Sequence, residues 1–182
     1  MKTTTLITPD GPFSVVVAAV PAADGSRAAA ETPEQVLAAG WTDDVDALLA
    51  LVHPTLRPSG DVRDTHPTGL LAEAADAVRA YYDGDHGAPG RVPVLQASGP
   101  YRTHAWDVLR EVKAGERLTY SEYAARTGRP AAVRAAAGAC AMNAAALFVP
   151  CHRILRTDGT LGGFRYGLPI KESLLAREAP SA

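Results

Sequence analysis

The chain has 182 residues, 47% of them hydrophobic, with 18 Lys and Arg against 20 Asp and Glu and a formal net charge of -2, which suits one compact domain or two small ones sharing an interface. No apolar run approaches the roughly 18 residues that a membrane span needs, and the opening "MKTTTLITPDGPFSVVV" lacks the basic start and continuous apolar segment of a secretory signal, so a cytoplasmic location is expected. Two cysteines, Cys140 and Cys151, exclude a disulfide framework and a four-cysteine zinc site.

The first expected element is a hairpin, since "TTLITPDGPFSVVVAAV" alternates polar and apolar residues around a Pro-Asp-Gly-Pro turn. No element is assigned to "GSRAAAETPEQVLAAGW". In "TDDVDALLALVHPTL" Thr42 is a plausible N-cap and Leu48, Leu49 and Val52 form an apolar face. "PTGLLAEAADAVRAYYDGD" reads as an amphipathic helix with a Thr-capped start, a stripe of Leu71, Ala74, Ala75, Val78 and Tyr82, and a stop at Asp83-Gly84. The Gly- and Pro-rich "GAPGRVPVLQASGP" reads as a linker. These assignments divide the chain into a small α/β unit over residues 1–92 and a second, mainly α-helical domain over 93–182.

Beyond the linker, "YRTHAWDVLREVKAG" places Ala105, Val108, Leu109 and Val112 on one stripe and stops at Gly115, a natural position for the left-handed residue after a helix. A short helix starting near Ser121, a turn at Gly128-Arg129-Pro130 and an alanine-dominated second helix make a helix-turn-helix pattern. That second helix carries one charge, Arg134, among small residues. Small residues allow close packing against another helix, and equally a close approach to a DNA minor groove. Charge also divides unevenly: residues 1–100 hold six Lys and Arg against thirteen Asp and Glu, and residues 101–182 hold twelve against seven. A basic half on an acidic chain points to an anionic partner or to a solvated surface.

Cys151 sits in "FVPCHRIL". Three readings are open from residue types alone: a packed core thiol, a metal ligand, or a nucleophile. The five histidines, His53, His66, His86, His104 and His152, show no pairing at ligand spacing near Cys151. For a nucleophile the partners are close at hand, with His152 as base, Arg153 beside it, and Glu178 late enough in the chain to fold back on the imidazole.

"VPCHRIL", together with "TYSEYA", "RPAAVRAAAGACAMN" and "GTLGGFRYGLPIKESLL", resembles the C-terminal domain of the O6-alkylguanine-DNA alkyltransferases, the methylated-DNA–protein-cysteine methyltransferases. The resemblance covers about 101–178. It implies that Cys151 accepts the alkyl group, that His152 is its base through a bound water, that Glu178 orients the ring, and that Asn143 braces the turn before the active site. It further implies DNA contacts at Tyr120, Arg134, Ala135, Gly138 and Arg153, with Arg134 filling the stack when guanine is flipped and Tyr120 contacting the flipped base. The implied substrate pocket comprises Ala146, Phe164, Arg165, Tyr166 and Lys171. The C-terminal domain would be winged-helix-like, and residues 1–92 the family's variable, ribonuclease H-like domain. The implied partner is double-stranded DNA containing alkylated guanine, with O4-alkylthymine as a further substrate, met by a monomer without cofactor, metal or membrane.

The physical argument runs the same way, because the O6 carbon is out of reach inside a duplex and extruding the base costs a few kcal/mol, which filling the gap offsets. The chain departs from the family pattern in several places. Ala137-Gly138-Ala139 stands for Gly-Gly-Ala, Ala144 to Ala146 replace a proline-containing segment after the asparagine, Phe164 replaces a tyrosine, and the zinc-binding residues found in some relatives are missing. Ala146 is therefore expected to leave one wall of the pocket open to the detriment of bulky alkyl groups. The competing readings are a non-repairing lesion sensor, in which the cysteine is replaced, a Cys-His-Glu hydrolase, and a helix-turn-helix transcription factor.

Overall fold

A computed structural model describes residues 1–20, 32–57 and 63–179. Strands β1 (Lys2–Thr8) and β2 (Gly11–Ala19) form an antiparallel hairpin in which Thr8 opposes Gly11. A strand not expected from the sequence, β3 (Glu34–Gly40), pairs antiparallel with β2, and the two-residue β4 (Arg63–Asp64) pairs parallel with β1, giving the order β3-β2-β1-β4. The sequence of β3 hides its identity because "VLAAG" is buried continuously and shows no alternation.

Residues of β2 divide by parity, as a pleated strand requires. Phe13, Val15 and Val17 join the main apolar cluster with helix α2 (Leu70–Tyr82), whereas Val16 and Ala18 pack with Leu48 and Val52 on the side of helix α1 (Val45–Leu51). Two caps differ from expectation. Asp44, not Thr42, caps α1, its carboxylate accepting from Ala47 N at 3.0 Å, while Thr42 Oγ1 accepts from Asp44 N at 2.9 Å. Gly69 occupies the N-cap of α2 with no side-chain bond, so Thr68 lies one residue too early. At the other end of α2, Tyr81 is the fully buried aromatic and Tyr82 is half-buried. The buried arc of α2 is wider than the expected stripe and takes in Ala77 and, one turn on, Tyr81, whereas the Tyr82 hydroxyl stays at the margin, accepting from Trp41 Nε1 and donating to Asp10.

The expected linker is built into the fold. It contains the short helix α3 (Ala88–Arg91), and its next residues run along the outer edge of β3, with Val36 N donating to Pro93 O and Leu95 N to Val36 O, each at 3.0 Å. Further along the same edge, Ala39 N donates to Ala144 O and Ala146 N to Ala39 O, each at 2.9 Å. An edge that would otherwise expose unpaired amides is thus covered by two segments of the second half.

Helix α4 (Pro100–Glu111) buries Ala105, Trp106, Val108 and Leu109, but it ends at Val112, and Gly115 lies in the following turn. After β5 (Leu118–Thr119), helix α5 (Tyr120–Arg126) opens with a capping box between Thr119 and Glu122. Helix α6 (Val133–Ala141) buries Ala136 and Ala139 and packs against α4, where Trp106 Nε1 donates to Ala139 O at 2.9 Å. The small residues of α6 therefore serve helix packing on this face. A 3-10 turn (Cys151–Arg153), strand β6 (Ile154–Leu155) parallel to β5, and helix α7 (Leu168–Arg177) complete the chain. One apolar cluster draws from both halves, Val17, Val36 and Tyr81 with Leu109, Phe148 and Leu174. Among the described residues no helix is long and apolar enough to cross a membrane.

Candidate active site

From Asn143 to Arg153 every residue is buried, and the backbone is held at several points. Leu147 has φ +71°, a left-handed conformation that costs a residue with a Cβ about 1–2 kcal/mol. It is fixed between two anchored neighbours, since Ala146 N is bound to Ala39 O and Val149 N donates to Ala145 O. The turn then delivers Cys151, His152 and Arg153 in sequence, all into the interior.

Asn143 meets the sulfur directly. Its Nδ2 donates to Cys151 Sγ at 3.2 Å and to Val149 O at 2.8 Å, while its Oδ1 accepts from Ala145 N and from Gln96 Nε2, each at 3.1 Å. His152 Nε2 lies 2.9 Å from Glu178 Oε1. Glu178, the residue that ends α7, also accepts from Arg153 Nε and Nη2 at 2.9 Å and from the Tyr81 hydroxyl at 3.0 Å. Arg153 Nη1 donates to Val112 O. A carboxylate taken from water needs such pairing, and this one has three donor side chains.

Burial pushes the Glu178 carboxyl up, but the bonds from His152 and Arg153 outweigh it and hold it well below the ordinary carboxylate range. Burial pushes His152 down, past the upward pull of Glu178, which leaves a neutral imidazole. With Nε2 hydrogen-bonded to a carboxylate, the proton belongs on that nitrogen, and Nδ1 carries the lone pair. Nδ1 is buried and has no partner among the described residues, so it is the atom free to take a proton. Burial raises the Cys151 thiol, and the Asn143 bond and the charges of Lys171 and Arg165 pull it part of the way back. At rest the site thus holds a thiol and a neutral imidazole.

Over the sulfur lies a cavity of about 400 Å³. Its walls come from α6 (Ala137, Cys140, Ala141), from Tyr120, Asn143 and Ala146, and from the 163–166 loop. Two glycines are required by close approach. A Cβ on Gly40 would stand 1.9 Å from the Tyr166 hydroxyl, and one on Gly162, with φ +65°, would stand 3.3 Å from the Tyr120 ring. Phe164 and Tyr166 are backed by Trp41, with ring centroids at 5.9 and 5.5 Å. Arg165 reaches from this loop to the carbonyl of Ala141 at the end of α6.

The structure places Cys151, Asn143, Tyr120, Ala146, Phe164, Arg165 and Tyr166 around this cavity, and pairs His152, the residue after Cys151, with Glu178. Two assignments are corrected. Lys171 is fully buried and does not line the cavity; its ammonium donates to Ile154 O at 2.6 Å and to Leu161 O, fastening β6 to the start of the glycine-rich loop. Arg153 is buried against Glu178, so it is closed to a DNA phosphate. Cys140 packs against the core from α6 and, with Ala137 and Ala141 on the same side of the helix, also lines the cavity that Cys151 lines. Ala146 lines the cavity, and the backbone of Ala144–Ala146 makes bonds that proline could not, Ala144 N donating to Gln96 Oε1 at 2.7 Å and Ala146 N to Ala39 O. Arg134 and Ala135 are exposed on α6 and Gly138 is half-buried beside them. Tyr81, whose hydroxyl reaches Glu178, was passed over in favour of Tyr82 on the helix stripe, and Gln96 had no sequence signal.

A buried thiol lining a cavity, followed in the chain by a carboxylate-held imidazole, is the set of groups that cysteine-nucleophile proteins use. The model of the 6-O-methylguanine DNA methyltransferase DNA-binding domain matches residues 100–180. The methylated-DNA–protein-cysteine methyltransferase of Methanothermobacter thermautotrophicus is 34% identical over 143 residues, 78% of each chain. The bifunctional transcriptional activator/DNA repair enzyme Ada of Escherichia coli is 47% identical over 91 residues, 50% of this chain, and the match spans only 26% of Ada. The fold is that of Mycobacterium tuberculosis OGT, solved in complex with DNA, at a TM-score of 0.71 and 22% identity over 100% of this chain and 96% of that one. The chain belongs to the methylated-DNA–protein-cysteine methyltransferase family.

Proposed function

We propose that this protein repairs DNA by moving the alkyl group of O6-alkylguanine onto Cys151, once per molecule. The observation that carries this reading is that Cys151 lines the cavity with an Asn143 N–H on its sulfur, and is followed in the chain by the buried imidazole that Glu178 holds. Sγ attacks the alkyl carbon in line, the C–O6 bond breaks with its electron pair going to guanine, and the thiol proton passes toward His152 Nδ1 through water. Glu178 holds the ring and offsets the charge it gains. The guanine anion takes up one proton at N1, the equivalent of the one the thiol gave up, returned through His152 and water, which restores the neutral imidazole. The product is a thioether, which no group in the cavity can hydrolyse, hence single turnover.

In this reading residues 93–182 are the catalytic and DNA-binding domain and 1–92 a supporting domain. We read α5 and α6 as a winged-helix-like helix-turn-helix that meets the minor groove of double-stranded DNA through Ala135 and Gly138. Arg134, exposed and without an ion pair among the described residues, enters the stack, and Tyr120 contacts the flipped base. The protein acts as a cytoplasmic monomer. Incubation with a duplex carrying O6-methylguanine, followed by intact mass and peptide mapping, tests the reading: the chain should gain one methylene, at Cys151. Binding with no mass change would support the lesion-sensor alternative. Arg134→Ala should slow repair more than it weakens binding to undamaged duplex.

A further inference from the structure

We propose that Gln96 is a positioning residue for the reactive sulfur, acting through Asn143 by fixing which end of the Asn143 amide faces Cys151. The inference rests on Cys151 being the reactive thiol. A carboxamide has a donor end and an acceptor end of nearly equal shape, and only the donor end stabilises a thiolate. If Asn143 were reversed, its oxygen would face Sγ and oppose the developing charge.

The chain of donors that prevents this begins at the backbone. Ala144 N–H donates to Gln96 Oε1 at 2.7 Å, which directs Gln96 Nε2 toward Asn143 Oδ1 at 3.1 Å, and this in turn directs Asn143 Nδ2 toward Sγ at 3.2 Å. Each amide is oriented by the one before it, and successive bonds polarise one another in the same sense. Ala145 N–H and Val149 O favour the same orientation, so Gln96 adds to a preference that the loop already has. Gln96 is itself placed by the segment at the β3 edge, where Leu95 N donates to Val36 O. The first half of the fold thereby reaches the sulfur through two side chains. The Asn143 bond lowers the thiol against the rise from burial, so weakening this chain should make the thiolate harder to form.

Gln96→Met keeps the length and removes both polar ends. The probe is iodoacetamide, with modification at Cys151 followed by peptide mapping across pH, so that neither DNA nor an alkylated base is involved. At neutral pH the variant should be alkylated about 3- to 10-fold more slowly, the range of one neutral hydrogen bond, and its rate–pH midpoint should move upward. A loss of packing alone would lower the unfolding midpoint without moving the pH midpoint. In an Asn143→Ala background Gln96→Met should have no further effect on rate, since the route to the sulfur is already cut. A pH profile superimposable on the parent's, or an equal slowing in both backgrounds, overturns the proposal. Failure of the parent to accept methyl from DNA would instead count against the repair reading and leave this one standing.

Discussion

Residues 143–178 and residues 36–96 both build the surroundings of Cys151, and they contribute different things. The later segment supplies the nucleophile, the imidazole and the carboxylate, all within a recognisable motif. The earlier one supplies no reacting atom. It supplies the Ala39 backbone that pins the loop, the Gln96 amide against Asn143, and the Tyr81 hydroxyl on Glu178. Reactive groups are recognisable by type and spacing, whereas the groups that hold them are ordinary residues made important by where the chain folds.

The comparison is broken most severely by removing the nucleophile. Cys151→Ala should abolish transfer while leaving DNA binding intact, and Cys140→Ala, in the same cavity but without the imidazole and carboxylate, should still accept one alkyl group. Methyl found on Cys140 of the parent would mean that the dyad does not select the acceptor.

Next in size are the supports of Glu178. Arg153→Met leaves a buried carboxylate short of its only full positive charge and should destabilise the fold by about 3–5 kcal/mol in urea unfolding. Tyr81→Phe removes one bond to the same carboxylate and should cost about 1.5–3 kcal/mol. If Tyr81→Phe proved neutral, the first half would contribute less to the dyad than its geometry indicates.

Acid sharpens the same point. His152 is depressed in the folded state, so the unfolded chain binds a proton that the folded one resists, and stability should fall as pH drops below about 6.5, the ordinary histidine value. The window extends from there down to the depressed folded value. Glu178 is also depressed; the stability it contributes is complete above its unfolded value near 4.5 and is lost as pH falls through the folded one. Urea titrations at stepped pH should therefore show two separate losses, and His152→Gln should remove the upper one.

The smallest expected effect concerns Ala146. Ala146→Pro should cost about 1 kcal/mol by removing the bond to Ala39 O, and should raise reactivity with free O6-benzylguanine relative to the parent by adding apolar surface to the wall. Equal benzyl rate constants in the two proteins would show that this wall does not set alkyl size.

The motif around Cys151, the hairpin and the stripe of α2 from Leu71 to Val78 were determined by sequence alone, because each depends on neighbours within a few turns or one strand pair. Strand β3 was hidden, since its burial comes from what packs on both faces. The linker became an edge-pairing segment for a related reason: the unpaired amides of β3 are satisfied only after distant parts of the chain arrive. Arg153 and Lys171 show the same limit for charge. Residue type places a cation on a surface facing an anion, but the cost of burying Glu178 and the free carbonyls of Ile154 and Leu161 drew both inward. Tertiary structure decided these positions because it determines which polar groups lose water and must be satisfied by the protein itself.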